Sequence, residues 1–453
     1  MFYRLKQMIL LFVDTAMLYV GLYAGVAARN LEIPGKSLTG LILPISQLFI
    51  AALIIMFIIG LYDVGRSRNS WKFFQKILLS AGIWFAVAVF FFYAYPNITV
   101  SPKTTLLLIT FFGFGCVALW RFIYNHFLSA NLLKTSIVFV GFNNEIKEII
   151  DVINKFPERG YAVAGVVSSS TVSELNSAPN LASIIKINNG AYPGLIVISE
   201  NTATPEILKE LYQALYSQVS MVKLAEFYEA FFRRIPPFTF SEDWFITNLK
   251  EQSLKIYDRF RIIMDLFFAV ITGLVFIVSF PIIALILKIT SPGPIFFSQT
   301  RIGRMGKEFK IYKYRTMKVL GAGGSAELSG PQFATVNDER ITFFGKFLRR
   351  TRLDEIPQFW NILRGEMALI GPRPERPEFV KILTDQMPFY TLRHLVKPGL
   401  TGWAQLQASY FGTIEENLVK LEYDLYYVKN RNLFLDIAII LRTFSVLFRF
   451  MGR

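Results

Sequence analysis

The sequence is poor in the side chains that form covalent cross-links or bind transition metals. Its 453 residues include one cysteine, Cys116, which excludes an internal disulfide and a Cys-rich zinc site. The two histidines, His126 and His394, are too few for a histidine metal cluster. Any metal must therefore be held by oxygen ligands, which favours a hard ion such as Mg²⁺.

Charged residues are scarce as well. They make up 18% of the chain, against about 25% in a typical soluble domain, whereas hydrophobic residues make up 53%. This composition excludes a disordered chain and argues against a wholly soluble protein. The 48 Lys and Arg residues exceed the 33 Asp and Glu residues by 15, which points to anionic partners such as a membrane face or phosphates. The length suggests two or three domains.

Four long apolar stretches precede residue 130, at about 8–28, 41–62, 77–95 and 105–120. Each approaches the roughly 20 residues that a membrane-spanning helix needs, so residues 1–130 are predicted to form four transmembrane helices. The first stretch is not followed by a small-residue cleavage site, and we expect it to be a retained anchor. Lys and Arg are concentrated before the first stretch and between the second and third. The positive-inside rule then puts the amino terminus and everything after residue 125 in the cytoplasm.

A fifth apolar stretch, Leu266–Leu287, has basic residues on both flanks. The positive-inside rule requires both of its ends to lie in the cytoplasm. Pro281 removes a backbone donor inside the stretch, and Ser279 could satisfy part of the interrupted hydrogen-bond ladder. The pattern predicts a re-entrant membrane helix, residues 262–288, that breaks at Ser279–Pro281 and returns to the same face. An ordinary fifth span with a proline kink is the alternative.

Strand-like segments at 136–141, 162–168, 194–199 and 220–224 alternate with helix-like segments at 143–155 and 205–218, which is typical of a parallel α/β domain. We expect a Rossmann-like cytoplasmic domain over 131–229, a linker over 230–254 and a further domain over 255–453. The turn that follows the first predicted strand, Gly141 to Asn144, lacks the Gly-x-Gly-x-x-Gly fingerprint of dinucleotide binding. A structural or regulatory role is therefore favoured over dinucleotide catalysis for the α/β domain.

Residues that suit phosphate chemistry lie in the last part of the chain. Asp354 and Glu355 are adjacent, and Pro357 suggests that they lie at a helix amino terminus, where anions are stabilised. One carboxylate could hold Mg²⁺ while the other attacks phosphorus, and Arg349 and Arg373 would bind phosphate oxygens. The alternative is a helix cap on a solvated face, where the charges merely balance one another.

A short segment upstream, residues 310–317, has the alternating pattern of a strand. This pattern is expected to present Lys313 and Arg315 on one face. Composition and spacing together indicate a membrane-anchored enzyme that handles phosphates.

Several longer motifs occur in the same region. They are SPGPIFF at 291–297, KYRTM at 313–317, LDEIPQ at 353–358, NILRGEM at 361–367, GPRP at 371–374 and KPGLTGWAQ at 397–405. Over about residues 255–453 the sequence resembles the bacterial sugar transferase family, the polyprenyl-phosphate sugar-1-phosphate transferases. Four spans followed by a Rossmann-like domain are similar to the long members of that family, which serve in capsule and exopolysaccharide assembly.

The resemblance implies a membrane protein with an N-terminal four-helix transmembrane bundle, a Rossmann-like α/β domain and a C-terminal α+β catalytic domain with a re-entrant membrane helix. The implied reaction transfers a sugar 1-phosphate from a UDP-sugar to undecaprenyl phosphate and releases UMP, which initiates exopolysaccharide, capsule or O-antigen synthesis. We then expect the protein in the bacterial inner membrane, with the catalytic domain on the cytoplasmic side. The expected partners are both substrates and the lipid bilayer, without nucleic acid. A homodimer and the identity of the sugar stay open.

The resemblance also implies roles for individual residues. Asp354 is expected to be the nucleophile that carries a covalent phosphosugar, and Glu355 is expected to bind Mg²⁺. The residues implied to hold substrate phosphates are Arg349, Arg373, Lys313 and Arg315. Two alternatives remain: a membrane scaffold that binds a nucleotide, and a glycosyltransferase that acts at the sugar carbon and releases UDP.

The resemblance extends to the re-entrant helix. Asp265 matches an early acidic residue of this helix in the family and is expected to pair with Arg261 or its neighbours as an anchor. The family often has Ser directly before the breaking Pro, whereas Phe280 separates Ser279 from Pro281 here. The apolar carboxy-terminal segment 431–453 is expected to lie in the membrane interface or to pack against the core.

Overall fold

The computed structural model describes residues 2–30, 36–62, 69–94, 103–129, 134–168, 177–187, 192–199, 205–216, 219–237, 242–249, 255–318, 340–407 and 413–448. These residues fall into two compact units, 1–231 and 232–453. The first unit contains four long helices and a parallel sheet, and the second contains the segment with the phosphate-handling motifs.

The four long helices coincide with the four apolar stretches of the sequence. They are α1 (Phe2–Asn30), α2 (Lys36–Ile59), α3 (Trp71–Ala94) and α4 (Lys103–Ser129). Each contains a segment that is long and apolar enough to cross a membrane. Helices α1 and α4 pack closely because Gly21 faces Gly113, and a Cβ on Gly21 would lie 2.2 Å from the Gly113 Cα.

A buried ion pair also joins α1 to α4. Arg121 Nη2 donates to Asp14 Oδ2 at 2.6 Å, Nε donates to Asp14 Oδ1 at 3.1 Å, and both side chains are buried. Arg121 Nη1 donates to the carbonyl of Leu61 at 3.2 Å, so the guanidinium of Arg121 also contacts the turn that follows α2. The single acidic residue of the first apolar stretch is thus neutralised inside the bundle.

The rest of the first unit is a five-stranded parallel sheet with the strand order β3-β2-β1-β4-β5. The strands are β1 (Thr135–Val140), β2 (Tyr161–Val167), β3 (Ser177–Ala178), β4 (Leu195–Ile198) and β5 (Ser220–Lys223), and the helices are α5 (Asn144–Lys155), α6 (Leu181–Ile187), α7 (Pro205–Leu215) and α8 (Leu224–Phe232). The parallel α/β prediction is confirmed. Asn143 caps α5 through a side-chain bond from the amide of Ile146, at 2.9 Å.

The second unit combines helices with two small sheets. Its helices are α9 (Glu242–Asn248), α10 (Lys255–Thr290), α11 (Phe343–Thr351), α12 (Phe359–Leu363), α13 (Pro377–Gln386), α14 (Trp403–Gln407), α15 (Ile414–Asn430) and α16 (Leu433–Phe448). The antiparallel pair is β6 (Phe296–Ile302) with β7 (Glu308–Tyr314), and the parallel pair is β8 (Ala368–Ile370) with β9 (Gly399–Thr401). Three 3₁₀ helices, Arg304–Gly306, Leu353–Gln358 and Tyr390–Leu395, complete the described part of this unit.

Helix α10 is longer than the predicted re-entrant helix and is not interrupted at Pro281. It runs without a gap from Lys255 to Thr290, and the Ser279 hydroxyl donates to the carbonyl of Phe276 at 3.4 Å. The expected break at Ser279–Pro281 is therefore not seen as an end of the helix, because a proline can bend a helix without terminating it. Re-entry into the same membrane face stays a prediction.

The segment predicted to be a linker, 230–254, packs on the second unit in its described part. The Arg233 carbonyl accepts from Trp403 Nε1 at 3.0 Å, and the amide of Ile235 donates to the carbonyl of Glu422 at 3.0 Å. Phe245 of α9 stacks on Phe389 with ring centroids 4.2 Å apart. These buried contacts hold residues 232–237 and 242–249 against the unit.

Helix α16 packs one face on the second unit and exposes the other. Ile439 is buried beside Ile370, and the Thr443 hydroxyl is 2.8 Å from that of Thr401. Phe434 and Ile437 are exposed on the other face. The alternative that the carboxy-terminal segment packs against the core is thus confirmed for α16, and its exposed apolar face leaves the membrane interface as a prediction.

Candidate active site

Asp354 and Glu355 lie in the 3₁₀ helix Leu353–Gln358, directly after α11. Arg352 has a left-handed backbone, with φ of 60°, and it turns the chain between the two helices. Both carboxyl residues are only 7% exposed. The alternative of a helix cap on a solvated face is therefore wrong, because the fold withdraws both groups from water.

Glu355 is the anion of a small cationic cluster. Its Oε1 accepts from Lys313 Nζ at 2.7 Å and from Arg373 Nη2 at 2.9 Å, and its Oε2 lies 3.6 Å from Arg352 Nη1. Burial alone raises the pKa of a carboxyl group, but Lys313, Arg373 and Arg352 together hold the pKa of Glu355 well below its usual range. Glu355 is thus a permanent carboxylate at neutral pH.

Asp354 has the opposite environment. Its Oδ1 is buried and has no hydrogen-bond partner within the described residues. Burial, and then repulsion by Glu355, raise the pKa of Asp354 to about 6, although Lys313, Arg349 and Arg352 act to lower it. A buried carboxylate oxygen without a partner is costly, so it marks a position where a ligand or a reacting atom is expected.

The structure brings Arg349 close enough to Asp354 to act to lower the pKa of its carboxyl group. Arg349 is in the last turn of α11, and its Nε donates to the Thr316 hydroxyl at 2.8 Å. Thr316 approaches the start of the same helix, since a Cβ on Gly345 would lie 2.1 Å from the Thr316 carbonyl oxygen. This close backbone approach joins the KYRTM motif to α11 and orients Arg349.

Arg315 does not join the cluster. Strand β7 ends at Tyr314, and Arg315 and Lys313 bond to different groups, although both were predicted to serve the same site. Arg315 Nη1 donates to the carbonyl of Pro292, and Nη2 donates to that of Ser291, both at 2.5 Å. Arg315 therefore fixes the turn between α10 and β6, and the structure places it apart from the carboxylate pair.

Arg373 lies in the loop that follows β8. The loop is in close backbone contact with the KPGLTGWAQ motif, because a Cβ on Gly399 would lie 2.0 Å from the Gly371 amide nitrogen and one on Gly402 would lie 2.2 Å from the Gly371 carbonyl oxygen. The Gly371 amide donates to the carbonyl of Thr401 at 2.9 Å. Glycine at these positions is what lets the two motifs meet, and the contact directs Arg373 to Glu355.

Asp265 and Arg261, the expected anchor residues of α10, bond to β8 and not to each other. The Asp265 Oδ1 accepts from the amide of Leu369 at 2.8 Å, and Arg261 donates to the carbonyl of Ile370. The expected direct pair between Asp265 and Arg261 is therefore replaced by two bonds to neighbouring residues of one strand. Residues four apart share a helix face, so both side chains reach the same strand and connect α10 to the loop of Arg373.

The carboxylate pair suits a magnesium ion that is shared with a substrate. Mg²⁺ is usually bound by one or two carboxylates together with substrate phosphates and water. The part of the chain that the structure describes contains no group of three or more His, Cys, Asp or Glu side chains that could hold a metal ion. The Glu355 Oε2 is beyond hydrogen-bond distance of Arg352, and Asp354 Oδ1 is unbonded within the described residues. The donor set fits an ion that takes most of its ligands from substrate and water.

Sequence reasoning missed a buried pair behind the site, Arg393 and Asp424. Arg393 Nη2 donates to Asp424 Oδ2 at 2.7 Å and to the carbonyl of Arg373 at 2.8 Å. The available signal was an acidic residue inside the apolar and aromatic stretch 421–428. An ionisable group on the buried face of a helix needs a partner, but the sequence does not identify the partner.

The comparisons with known proteins match the same part of the chain. Residues 256–450 match the family model described as bacterial sugar transferase. Over 189 residues the chain is 41% identical to the UDP-N-acetylgalactosamine-undecaprenyl-phosphate N-acetylgalactosaminephosphotransferase of Aeromonas hydrophila, which is 42% of this chain and 44% of that protein. Over 163 residues it is 45% identical to the UDP-glucose:undecaprenyl-phosphate glucose-1-phosphate transferase of Xanthomonas campestris pv. campestris, which is 36% of this chain and 33% of that protein.

A third relative is shorter. The chain is 37% identical over 166 residues to the exopolysaccharide production protein PSS of Rhizobium leguminosarum bv. phaseoli, and the match is 36% of this chain and 81% of that protein. The match thus spans less than half of the first two relatives but most of this one. The matched region includes the buried carboxylate pair and its cations and the long apolar helix α10, and the named relatives are transferases. The chain belongs to the bacterial sugar transferase family.

Proposed function

We propose that the protein transfers a sugar 1-phosphate from a UDP-sugar to undecaprenyl phosphate, releases UMP and initiates the synthesis of a surface polysaccharide. The names of the Aeromonas and Xanthomonas relatives support the donor and acceptor classes, and the name of the Rhizobium relative supports exopolysaccharide production. The observation that carries the proposal is the buried Asp354 Oδ1, which lacks a hydrogen-bond partner among the described residues, beside the ion-paired Glu355.

The reaction consists of two in-line displacements, in which Asp354 is first the nucleophile and then the leaving group. Its carboxylate oxygen forms a bond to the sugar-bearing phosphorus, and the bond from that phosphorus to the bridging oxygen breaks, so UMP leaves with the electron pair. A phosphate oxygen of undecaprenyl phosphate then attacks the same phosphorus, and the bond to Asp354 breaks. The carboxylate is regenerated and the product is an undecaprenyl-diphosphate sugar. The bond from the sugar carbon to oxygen is never cleaved.

The charges around Asp354 suit this chemistry. A pKa of about 6 leaves Asp354 ionised at neutral pH and more basic than an ordinary aspartate. Arg349 and Arg373 supply guanidinium groups for phosphate oxygens, and Lys313 adds a cation beside Glu355. Glu355 is proposed to hold Mg²⁺, which supplies neutralisation of the diphosphate charge when it is bound. Arg315 is left out of the phosphate site, since the Ser291–Pro292 turn occupies its guanidinium.

We further propose that α10 re-enters the cytoplasmic face of the inner membrane, which would let the catalytic unit work on that side. The side of α10 that faces the unit is buried or half-buried from Arg261 to Leu287, about 39 Å at 1.5 Å per residue. Its early part packs with Phe309 of β7, and its late part packs with Tyr314 and Leu348. A helix that left the unit to cross the membrane would take one of these ends away, so contacts at both ends support re-entry.

The opposite side of α10 supports membrane contact. It exposes apolar side chains along most of its length, among them Phe267, Val270, Leu274, Ile277, Val278, Ile282, Leu285 and Ile289. An exposed apolar surface this long is stable against lipid but not against water. The acceptor phosphate would then lie at the same face as Asp354.

Nucleotide release tests the proposed reaction. Purified protein with Mg²⁺, undecaprenyl phosphate and a panel of UDP-sugars is expected to release UMP with at least one sugar. Asp354→Asn should abolish release, whereas Asp385→Asn, which changes an exposed aspartate of α13, should not. Release of UDP would move the chemistry to the sugar carbon, and substantial turnover by Asp354→Asn would reject the nucleophile.

A covalent intermediate can be detected without the acceptor. Incubation with the accepted UDP-sugar alone should release up to one equivalent of UMP and add the mass of a phosphosugar to the peptide that contains Asp354. The Asp354→Asn variant should show neither change. A UMP burst without a mass change on this peptide would argue for direct transfer between the substrates.

The role of Glu355 in metal binding has its own test. Glu355→Gln removes the charge but keeps the shape, so the Mg²⁺ concentration for half-maximal activity should rise by roughly tenfold or more. Glu366→Gln, a carboxylate bonded to Asn361 in the same unit, provides a control whose Mg²⁺ dependence should stay the same. An unchanged Mg²⁺ dependence for Glu355→Gln would exclude the metal role.

A further inference from the structure

The loop that carries Arg373 is held by donors from outside it. Three of its seven residues, 371–377, are prolines, which have no backbone N–H. Its carbonyl oxygens accept four hydrogen bonds. The oxygen of Pro372 accepts from the amide of Gly399 (2.9 Å), and that of Arg373 accepts from Arg393 Nη2 (2.8 Å). The oxygen of Pro374 accepts from Arg301 Nη1 (3.2 Å), and that of Glu375 accepts from the amide of Ile302 (2.9 Å). Four consecutive carbonyl groups are thus each fixed by a different residue.

The bond to Arg373 comes from a fully buried charged network. Arg393 and Asp424 are each 2% exposed. Arg393 Nε and Nη2 both donate to Asp424 Oδ2, at 3.1 and 2.7 Å, and Nη1 donates to the Tyr390 hydroxyl at 2.9 Å. The planar guanidinium therefore has acceptors on all sides, which leaves it one orientation. In that orientation Nη2 reaches the Arg373 carbonyl.

We propose that Arg393, oriented by Asp424 and Tyr390, is a positioning residue for Arg373 in the reaction proposed above. Its bond fixes the backbone of Arg373, and the Arg373 side chain in turn donates to Glu355 at 2.9 Å. The carboxylate of Asp424 on α15 is thereby connected to the Asp354–Glu355 pair through two arginines. Neither Arg393 nor Asp424 touches the reacting atoms.

The physical basis is the precision that phosphoryl transfer requires. Catalysis of such reactions comes mostly from positioning and fixed charges, and a displacement of about 1 Å can cost on the order of a hundredfold in rate. The Arg373 side chain has many rotatable bonds, so its head is positioned well only if its backbone is fixed. Loss of the Arg393 bond would release that backbone while Arg373 itself remained present.

A double-mutant cycle tests the proposal. Arg393→Lys keeps the positive charge, but all donors of an ammonium group lie on one nitrogen. They cannot reach Asp424, the Tyr390 hydroxyl and the Arg373 carbonyl together, to which the three nitrogen atoms of Arg393 donate. Its kcat/KM for the UDP-sugar should fall by roughly tenfold to a hundredfold. In an Arg373→Lys background the same change should cost less than about twofold, because the residue through which Arg393 acts is already impaired. Equal losses in both backgrounds would overturn the proposal.

The conservative variants separate positioning from folding. Tyr390→Phe removes only a hydroxyl group, so it should fold normally and reduce kcat/KM by a smaller factor. Asp424→Asn should behave like Arg393→Lys, and Asp424→Glu should restore part of the activity. Glu422→Gln is the matched control, since Glu422 is also a buried carboxylate of α15 but pairs with Arg234, and its kcat/KM should stay at the wild-type value. An equal loss in Glu422→Gln would point to α15 stability as the cause.

Hydrogen exchange provides a readout that does not depend on the reaction. The amides of the loop 371–377 should exchange faster in Asp424→Asn and in Arg393→Lys than in wild type or in Glu422→Gln. Unchanged exchange would overturn the positioning role even if activity fell. If wild-type protein released no UMP, the proposed function would fail, whereas the exchange result would still decide whether Arg393 orders this loop.

Discussion

At the scale of residues, Asp354 and Glu355 are neighbours whose carboxyl groups have different chemistry. Lys313 and Arg373 bond directly to Glu355 and stabilise its charge, while Asp354 Oδ1 is buried without such a bond in the described structure. The pKa of Asp354 is therefore raised and that of Glu355 is lowered. When the pKa values of two adjacent carboxyl groups differ in this way, one group can act as the nucleophile and the other as a fixed negative charge.

The raised pKa of Asp354 predicts an acid limb in the pH profile. Activity requires the carboxylate, so kcat/KM should fall as pH drops through about 6. Arg349 acts to lower the pKa of Asp354, so Arg349→Gln should move the acid limb to higher pH in addition to lowering kcat/KM. Arg350→Gln, the same change at the exposed neighbour, should leave the limb in place. A limb that stays fixed in Arg349→Gln would contradict the electrostatic coupling.

The same pKa shift predicts that the active site reduces stability. The pKa of Asp354 is higher in the folded protein than in the unfolded chain, so ionising it costs folding free energy as pH rises from about 4 to about 6. Above pH 6 the cost is fully present and amounts to roughly 2–3 kcal/mol. Asp354→Asn should therefore unfold at a higher temperature than wild type at pH 7.5, and the difference should shrink at pH 5. A variant that is less stable at both pH values would contradict the burial argument.

At the scale of elements, close contacts between backbones determine which elements meet. In the second unit, Gly399 and Gly402 let β9 and its following turn approach Gly371, which brings the loop of Arg373 to Glu355. In the four-helix part, Gly21 and Gly113 do the same for α1 and α4. Small residues of this kind are the usual means of close helix packing in membranes, where no hydrophobic force between helices operates.

The α1–α4 contact can be tested by adding a methyl group. Gly21→Ala would place a Cβ 2.2 Å from the Gly113 Cα, so the helices must separate, and we expect a loss of about 1–3 kcal/mol of stability. Gly115→Ala is the matched control on α4, because no atom lies within 4 Å of the added Cβ. Thermal unfolding in detergent should show a lower midpoint for Gly21→Ala alone. Equal midpoints would mean that the two helices do not pack at these glycines.

At the scale of the whole molecule, the membrane arrangement decides whether the proposed reaction can occur. The described residues contain five helices that are long and apolar enough to cross a membrane, and the fifth, α10, belongs to the second unit. Arg261 and Leu287, near its two ends, are both buried in that unit. The arrangement favours a helix whose ends stay on one side, although it is continuous through Pro281.

Labelling from the two sides of the membrane tests this arrangement. In a Cys116→Ser background, single cysteines introduced at the exposed positions Ile256 and Lys288 should both resist a membrane-impermeant thiol reagent added to the periplasmic side of intact cells. A cysteine at Asn97, in the predicted third connection, should react and so prove that the reagent reaches the membrane. Reaction at either Ile256 or Lys288 would refute re-entry and favour an ordinary fifth span.

Sequence patterns gave the local structure of the chain well, because they depend on neighbouring residues. Apolar stretches marked α1 to α4, and alternating segments marked β1, β2, β4 and β5. The short strand β3 was missed, since two residues carry no detectable period. The Asp354–Glu355 pair and its flanking cations were identifiable from their motifs. The partner of each charged side chain was harder to identify from the sequence. Arg315 bonds to the carbonyl groups of Ser291 and Pro292, and Asp265 and Arg261 bond to β8 and not to each other.

The sequence by itself determined a membrane protein with a parallel α/β domain and a phosphate-handling motif of the bacterial sugar transferase family. Only the tertiary structure decided which charges meet. Lys313 reaches Glu355 across 42 residues, Arg393 reaches Asp424 across 31, and Arg315 turns to the Ser291 carbonyl instead of the site. The reason is physical: hydrophobic periods and turns are fixed by neighbouring residues, whereas the pairing of buried charges depends on backbone contacts between elements that are distant in the chain.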